Sequence, residues 1–82
     1  MKKRKLLRNI LGGSKNVRFA DMVKLAEGFG FRLARTEGSH HIMVHAEVPR
    51  PLNLQEVHGQ AKPYQVRQFL KLIEQYNLTL ED

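Results

Sequence analysis

Three of the four histidines of this 82-residue chain fall within six residues, in the run Gly38-Ser39-His40-His41-Ile42-Met43-Val44-His45. Histidine is the side chain whose unperturbed pKa lies nearest neutrality, so one imidazole can take a proton from a hydroxyl or give one to a leaving oxygen. A ribose 2′-hydroxyl suits such a base, because RNA carries its own nucleophile beside each phosphate. The chemistry then needs a base, a positive or hydrogen-bonding clamp on the phosphate, and a geometry that lines the 2′-oxygen up with phosphorus.

Each residue of that run also has a structural role open to it. Ser39 can hydrogen-bond a phosphate oxygen or shape a turn, and Gly38 can supply φ > 0 or let an RNA backbone approach closely. His45 is expected at a solvated strand end, and His58 in a loop where it stabilises a turn. Adjacent histidines on opposite strand faces do not converge on one ion and no carboxylate shares their spacing, so no metal site is expected. Candidate phosphate contacts are Arg32 and Arg35 before the histidine run, Lys62 at the start of the last helix, and Arg67 and Lys71 on that helix's polar face. Lys62 is the strongest of these, because a helix N-terminus already favours anions.

These residues need elements to hold them. Leu6, Leu7, Ile10 and Leu11 recur at helical spacing among basic residues, predicting a short amphipathic helix that Gly12-Gly13-Ser14 ends. A second helix is expected from an N-cap at Asn16, through Phe19, Met22, Val23 and Ala26, to a stop at Gly28 and Gly30. Phe31 to Thr36 alternates as a strand with Phe31 and Leu33 inward, Glu37-Gly38-Ser39 is a turn, and His40 to His45 is the antiparallel partner. Ala46 to Pro51 reads as a loop, Leu52 to Val57 as a third strand and Gly59 to Lys62 as a connector. Pro63 opens a last helix with Val66, Phe69, Leu70 and Ile73 inward; Gln65, Gln68 and Gln75 are assigned to its wet face and Asn77 to its end. The expected fold is α+β, a small three-stranded antiparallel sheet with helices on one face and the other face open.

Alternation along His40 to His45 leaves the choice of base open. His40, Ile42 and Val44 share one face, and His41, Met43 and His45 the other. If Ile42 and Val44 point at the helices, His41 is the solvent-facing base, unless the Gly38-Ser39 turn twists His40 out of the core.

Composition narrows the class. A chain of 9.5 kDa forms one domain and buries only about 60% of the surface its unfolded form exposes, which leaves no room for a cofactor domain. The absence of cysteine excludes disulfides, thiolate zinc and a cysteine nucleophile, and fits an intracellular, cytoplasmic address. The basic start resembles the first part of a signal peptide, but Arg8 and Asn9 break the apolar run after it, and no segment reaches the length of a membrane span. The net charge of +6 points to a polyanion. Residues 1 to 18 carry seven basic side chains and no acid, whereas residues 19 to 82 carry the other seven against all eight acids, a net −1. The charge therefore belongs to a basic N-terminal helical extension, residues 1–15 with their immediate neighbours, ahead of one domain at residues 16–82.

In this setting the chain resembles the HicA toxins of bacterial and archaeal toxin-antitoxin pairs, the YcfA-like mRNA interferases. The resemblance is carried by the helix at Phe19 to Glu27, the joint Gly30-Phe31, the signature Arg35-Thr36-Glu37-Gly38-Ser39-His40-His41-Ile42, and the closing helix from Pro63 through Tyr76. It implies a double-stranded-RNA-binding-domain-like fold, cleavage of mRNA without metal or cofactor, and a HicB-type antitoxin partner. The family's catalytic histidine follows the Gly-Ser pair, which carries over onto His40, with His41 as the second candidate. The extra basic segment departs from the short family pattern, so no role transfers to residues 1–15. A non-catalytic RNA-binding module of the same fold is the alternative, expected to bind duplex RNA by shape with a steep loss of affinity in salt.

Overall fold

The computed structural model describes residues 3–13 and 16–81. Helix α1 spans Lys3–Leu11, α2 Phe19–Gly28 and α3 Pro63–Gln75, and between α2 and α3 run β1 Arg32–Glu37, β2 His40–His45, β3 Val48–Val57 and β4 Gln60–Ala61. The strands form one antiparallel sheet in the order β1-β2-β3-β4. The fold is α+β with the helix-strands-helix order that the resemblance implies. The sheet has four strands where three were expected.

The additional strand and a longer β3 come from the segments read as connector and loop. Residues Pro49-Arg50-Pro51 are strand, not loop, because the ladder slips between the pairs Met43↔Leu52 and His45↔Val48, so three residues of β3 oppose Val44 alone. A bulge of this kind is where a strand tolerates proline, whose missing N–H is not asked to bond. His58 and Gly59, both at positive φ, then make the tight turn that returns Gln60-Ala61 onto Val57 and Glu56.

Asn16 does not cap α2. The chain entering the helix is extended and paired with β4: Arg18 bridges Gln60, the Ala61 N–H donates to the Val17 carbonyl, and the Phe19 N–H donates to the Gly59 carbonyl. Arg18 is the N-cap and makes no side-chain capping bond, since Gly59 already satisfies the first amide. At the other end Gly30, at φ +97°, is the left-handed residue. The Phe31 N–H reaches the Ala26 carbonyl and the Gly30 N–H the Glu27 carbonyl, which closes the helix and aims Phe31 into the core. Asn77 closes α3 in the same way at φ +52°, with the Leu78 N–H on the Ile73 carbonyl. Gly12 and Gly13 turn the chain after α1, and Ser14 lies outside the described residues.

The core lies between the helices and one face of the sheet. Met43, Leu52 and Leu54 point at Met22, Leu25, Ala26 and Phe69, all fully buried, and Leu6 and Ile10 of α1 join the same cluster. Phe69 of α3 holds Phe29 and Phe31 at ring distances of 5.7 and 6.0 Å, so the joint between α2 and β1 is clamped by α3. Leu33, expected inward with Phe31, is 47% exposed. It pairs with Met43, but β1 is the outer strand, shifted in register between Leu33 and Arg35, and all six of its residues are exposed.

Gln65 is a second departure. It was assigned to the wet face of α3, yet it is 3% exposed. Its Oε1 accepts the Gln55 N–H at 2.6 Å, at the point on β3 where the two-residue β4 no longer supplies a partner. A buried amide side chain thus completes the ladder that the short strand leaves open.

Candidate functional site

The hairpin from β1 to β2 turns on two residues, Gly38-Ser39, between the paired positions Glu37 and His40. Gly38 sits at φ +59° and Ser39 does not have positive φ, the pattern of a turn that demands glycine first. This short turn ties the face of His40 to the pleat of β2.

Which face is open follows from pairing. In β3, Leu52 and Leu54 are buried while Asn53 is exposed and Gln55 half-buried, and the register sets Met43 against Leu52 and His41 against Leu54. His41, Met43 and His45 therefore face the helices, whereas His40, Ile42 and Val44 face out with Asn53 and Gln55. Ile42 and Val44 are half-buried on the open face, so the premise that would have favoured His41 as the solvent-facing base does not hold.

The four imidazoles sit in four different settings. Nδ1 of His40 lies 3.0 Å from Asn53 Oδ1. A carbonyl oxygen only accepts, so this bond takes its hydrogen from Nδ1, and in the neutral ring the free lone pair is then on Nε2. His41 packs edge-on against Phe19 with ring centroids 4.7 Å apart, and its Nδ1 is buried with no partner. A hydrogen there would be a buried donor without an acceptor, so His41 carries its hydrogen on Nε2. His45 is not a solvated strand end: its Nε2–H donates to the Phe29 carbonyl at 3.0 Å and its Nδ1 accepts the Glu47 N–H at 3.0 Å. Both ring nitrogens are thereby used, and the ring lies across Phe31 at 5.1 Å. His58 occupies its turn at φ +52°.

Around His40 the open face is polar. Glu37 is its partner on β1 and Gln55 its partner on β3, and Gln55 Nε2 donates to Ser39 Oγ at 3.3 Å. Arg35 lies on the same face, its Nε donating to Glu37 Oε1 at 2.8 Å, with both side chains exposed. Gly38, Ser39, Arg35 and His40 are thus gathered at one corner of the sheet. A phosphate arriving there meets a guanidinium whose present partner is a solvated carboxylate.

Lys62 and Arg67 stand apart at α3, and Lys62 connects to this corner through a relay. Lys62 is the N-cap residue of α3 and its Nζ lies 5.8 Å from the centre of the Tyr64 ring. Gln65 Nε2 donates to the Tyr64 hydroxyl at 3.4 Å, and Gln65 Oε1 holds the backbone of Gln55, the residue opposite His40. Arg67 borders a shallow depression with Tyr64, Gln68 and Lys71. The positive charge of α1 lies elsewhere, since α1 packs against α2 on the helix side of the sheet. A cleft of about 480 Å³ between α1 and the entry to α2, lined by Leu6, Asn9, Ile10, Asn16, Val17, Arg18 and Asp21, also lies on that side and holds no histidine. Lys2 and Lys15 lie outside the described residues.

Among the described residues no cluster of three or more His, Cys, Asp or Glu side chains could hold a metal ion, and no helix is long and apolar enough to cross a membrane. Asn53, Gln55 and Tyr64 carry no functional signal in the sequence, and Gln65 reads there as a residue of the wet face of α3. The alternation Leu52-Asn53-Leu54-Gln55 does mark Asn53 and Gln55 as a polar strand face, but their place beside His40 depends on register.

Comparison with protein families matches residues 19–75, more than half of the chain, to the HicA toxin of bacterial toxin-antitoxin systems. The matched stretch runs from the first residue of α2 to the last of α3 and contains the whole sheet. Searches of curated proteins and of solved structures give no match. With that family match over this fold, the chain belongs to the HicA toxin family and is a toxin of the kind that pairs with an antitoxin.

Proposed function

We propose that this toxin is an endoribonuclease, an mRNA interferase that cleaves its substrate without a metal ion and is neutralised in the cytoplasm by a HicB-type antitoxin. The observation that carries the reading is the setting of His40: it faces out on the open side of the sheet with its Nδ1 held at 3.0 Å from Asn53 Oδ1, an arrangement that in the neutral ring leaves Nε2 to accept a proton. In the reaction Nε2 takes the proton of a ribose 2′-hydroxyl, the 2′-oxygen forms a bond to the adjacent phosphorus, and the bond from phosphorus to the 5′-oxygen breaks. The 5′-oxygen leaves with a proton taken from solvent water, and His40 returns the proton it took to solvent. The products end in a 2′,3′-cyclic phosphate and a 5′-hydroxyl. Arg35 exchanges Glu37 for the phosphate and offsets the charge that grows on it, Ser39 and the Gly38 turn lie beside the substrate backbone, and Lys62 and Arg67 contact phosphates further along.

His41 is less suited to the role. It faces the helices, packs on Phe19 and buries one nitrogen without a partner. Cycling a proton through such a ring would strand a donor in the core.

The class is tested by incubating RNA with the protein in EDTA and analysing the new ends. Cleavage in EDTA, with cyclic phosphate and 5′-hydroxyl termini, is expected. Dependence on added divalent metal would rule out the mechanism, and binding without cleavage would leave the RNA-binding module.

Asn53 provides a finer test. Asn53→Ala removes the acceptor that holds Nδ1–H, freeing both the tautomer and the rotation of His40. Cleavage is expected to fall by about 10-fold to 100-fold, the usual cost of losing a partner that orients a functional imidazole. Because Asn53 is exposed, the melting temperature should stay the same. A wild-type rate in Asn53→Ala would show that the bond does not position the base.

A further inference from the structure

Among the described residues three large apolar side chains are exposed, Leu11, Leu33 and Tyr64, and only Tyr64 is aromatic. It stands on the first turn of α3 at 53% exposure, while Gln65, Val66, Phe69 and Leu72 take the buried positions of that helix. The core therefore makes no demand for an aromatic residue there. What surrounds the ring is polar and positive: Lys62 Nζ at 5.8 Å from its centre, and Arg67, Gln68 and Lys71 around the depression it borders. No carboxylate lines that depression, and among the described residues Lys62, Arg67 and Lys71 form no ion pair.

The ring is also held in place. Gln65 Nε2 donates to its hydroxyl, and Gln65 is itself buried and fixed by the Gln55 N–H. Since Gln55 pairs with His40, the aromatic platform and the base are braced on the same residue of β3.

We propose that Tyr64 is a base-stacking platform, with Lys62, Arg67 and Lys71 holding the flanking phosphates, and that this second subsite selects single-stranded RNA. The proposal rests on the ribonuclease reading and adds to it the form of the substrate. An aromatic face beside several cations is the arrangement that binds unpaired nucleotides, because every base has a π-face and every linkage a negative charge. Within an A-form duplex the base faces are stacked on one another and closed to a side chain. A protein partner is less well matched, since no aliphatic side chain lines the depression around the ring.

The test uses the full chain and a short single-stranded 2′-O-methyl oligoribonucleotide, which lacks the nucleophilic hydroxyl and stays intact. Tyr64→Ala is expected to weaken its binding by about fivefold to a hundredfold while the chain stays folded. Tyr64→Trp should restore the affinity. The chain has no other tryptophan, so quenching of its fluorescence on binding would report the stacked base directly. The same sequence annealed as a duplex should bind more weakly than the single strand and be insensitive to Tyr64→Ala.

Unchanged affinity in Tyr64→Ala, an unquenched Tyr64→Trp with RNA bound, or equal binding of duplex and single strand would overturn the platform while leaving His40 chemistry standing. If the unsubstituted chain neither binds the oligonucleotide nor cleaves RNA, the ribonuclease reading falls and the platform falls with it. Tyr64→Ala that keeps RNA affinity but loses the antitoxin would also overturn it, assigning the face to the partner protein.

Discussion

Replacing His40 with alanine is expected to slow RNA cleavage by about 10²-fold to 10⁴-fold, the range that a positioned acid or base contributes. The fold should survive, because His40 is half-buried on the open face and its side-chain bond runs to the exposed Asn53. His41→Ala should behave in the opposite way. It removes a ring packed at 4.7 Å against Phe19, so it is expected to cost about 1–2 kcal/mol of stability while cleavage per folded molecule stays near wild type. Initial rates on a fluorogenic oligoribonucleotide, read beside urea melts of both variants, separate the two effects. Full activity in His40→Ala, or loss of activity in His41→Ala with an unaltered melt, would reverse the assignment.

The largest effect on stability is expected from Phe69→Ala, about 3–5 kcal/mol. Phe69 is fully buried, and its ring meets both Phe29 and Phe31, which flank Gly30. That joint also receives His45, whose Nε2–H bonds the Phe29 carbonyl and whose ring lies on Phe31. The hole left by Phe69 cannot collapse easily, because the Gly30 turn is pinned from the other side: a β-carbon on Gly30 would sit 2.8 Å from His45 Nε2. A domain of this size has about 4–12 kcal/mol of stability in all, so the substitution removes much of it. Urea unfolding should show a steep fall in midpoint at unchanged slope, and a loss below about 1 kcal/mol would mean that α3 does not clamp the joint.

The helices could be read from the sequence because their signal is local. Leu6 and Ile10, or Val66, Phe69 and Leu72, fall on one side of a helix wherever that helix packs. Glycine and proline punctuate them: Gly30 closes α2 and Pro63 opens α3. The histidine strand was legible for the same reason, from alternation and a Gly-Ser turn. Where the structure departs from the sequence pattern, a long-range bond is the cause. Asn16 lost its capping role to a pairing with β4, more than forty residues away in the chain. Pro49 and Pro51 entered a strand through a slip in register against β2, and Gln65 was drawn into the core by the Gln55 amide.

The candidate site divides along the same line. Residue order alone placed Gly38, Ser39, His40 and His41 at a hairpin turn beside Arg35, and alternation alone put the two histidines on opposite faces. It did not determine which face the helices cover, because both faces of β2 mix apolar and imidazole side chains, His40, Ile42 and Val44 on one and His41, Met43 and His45 on the other. The polarity that settles the matter is written in the next strand, where Leu52 and Leu54 alternate with Asn53 and Gln55. Only the pairing of Met43 with Leu52 and His41 with Leu54 transfers it to β2, turning His41 toward Phe19 and His40 toward Asn53. A strand's period is a property of its own backbone, but its orientation is a property of what it is hydrogen-bonded to.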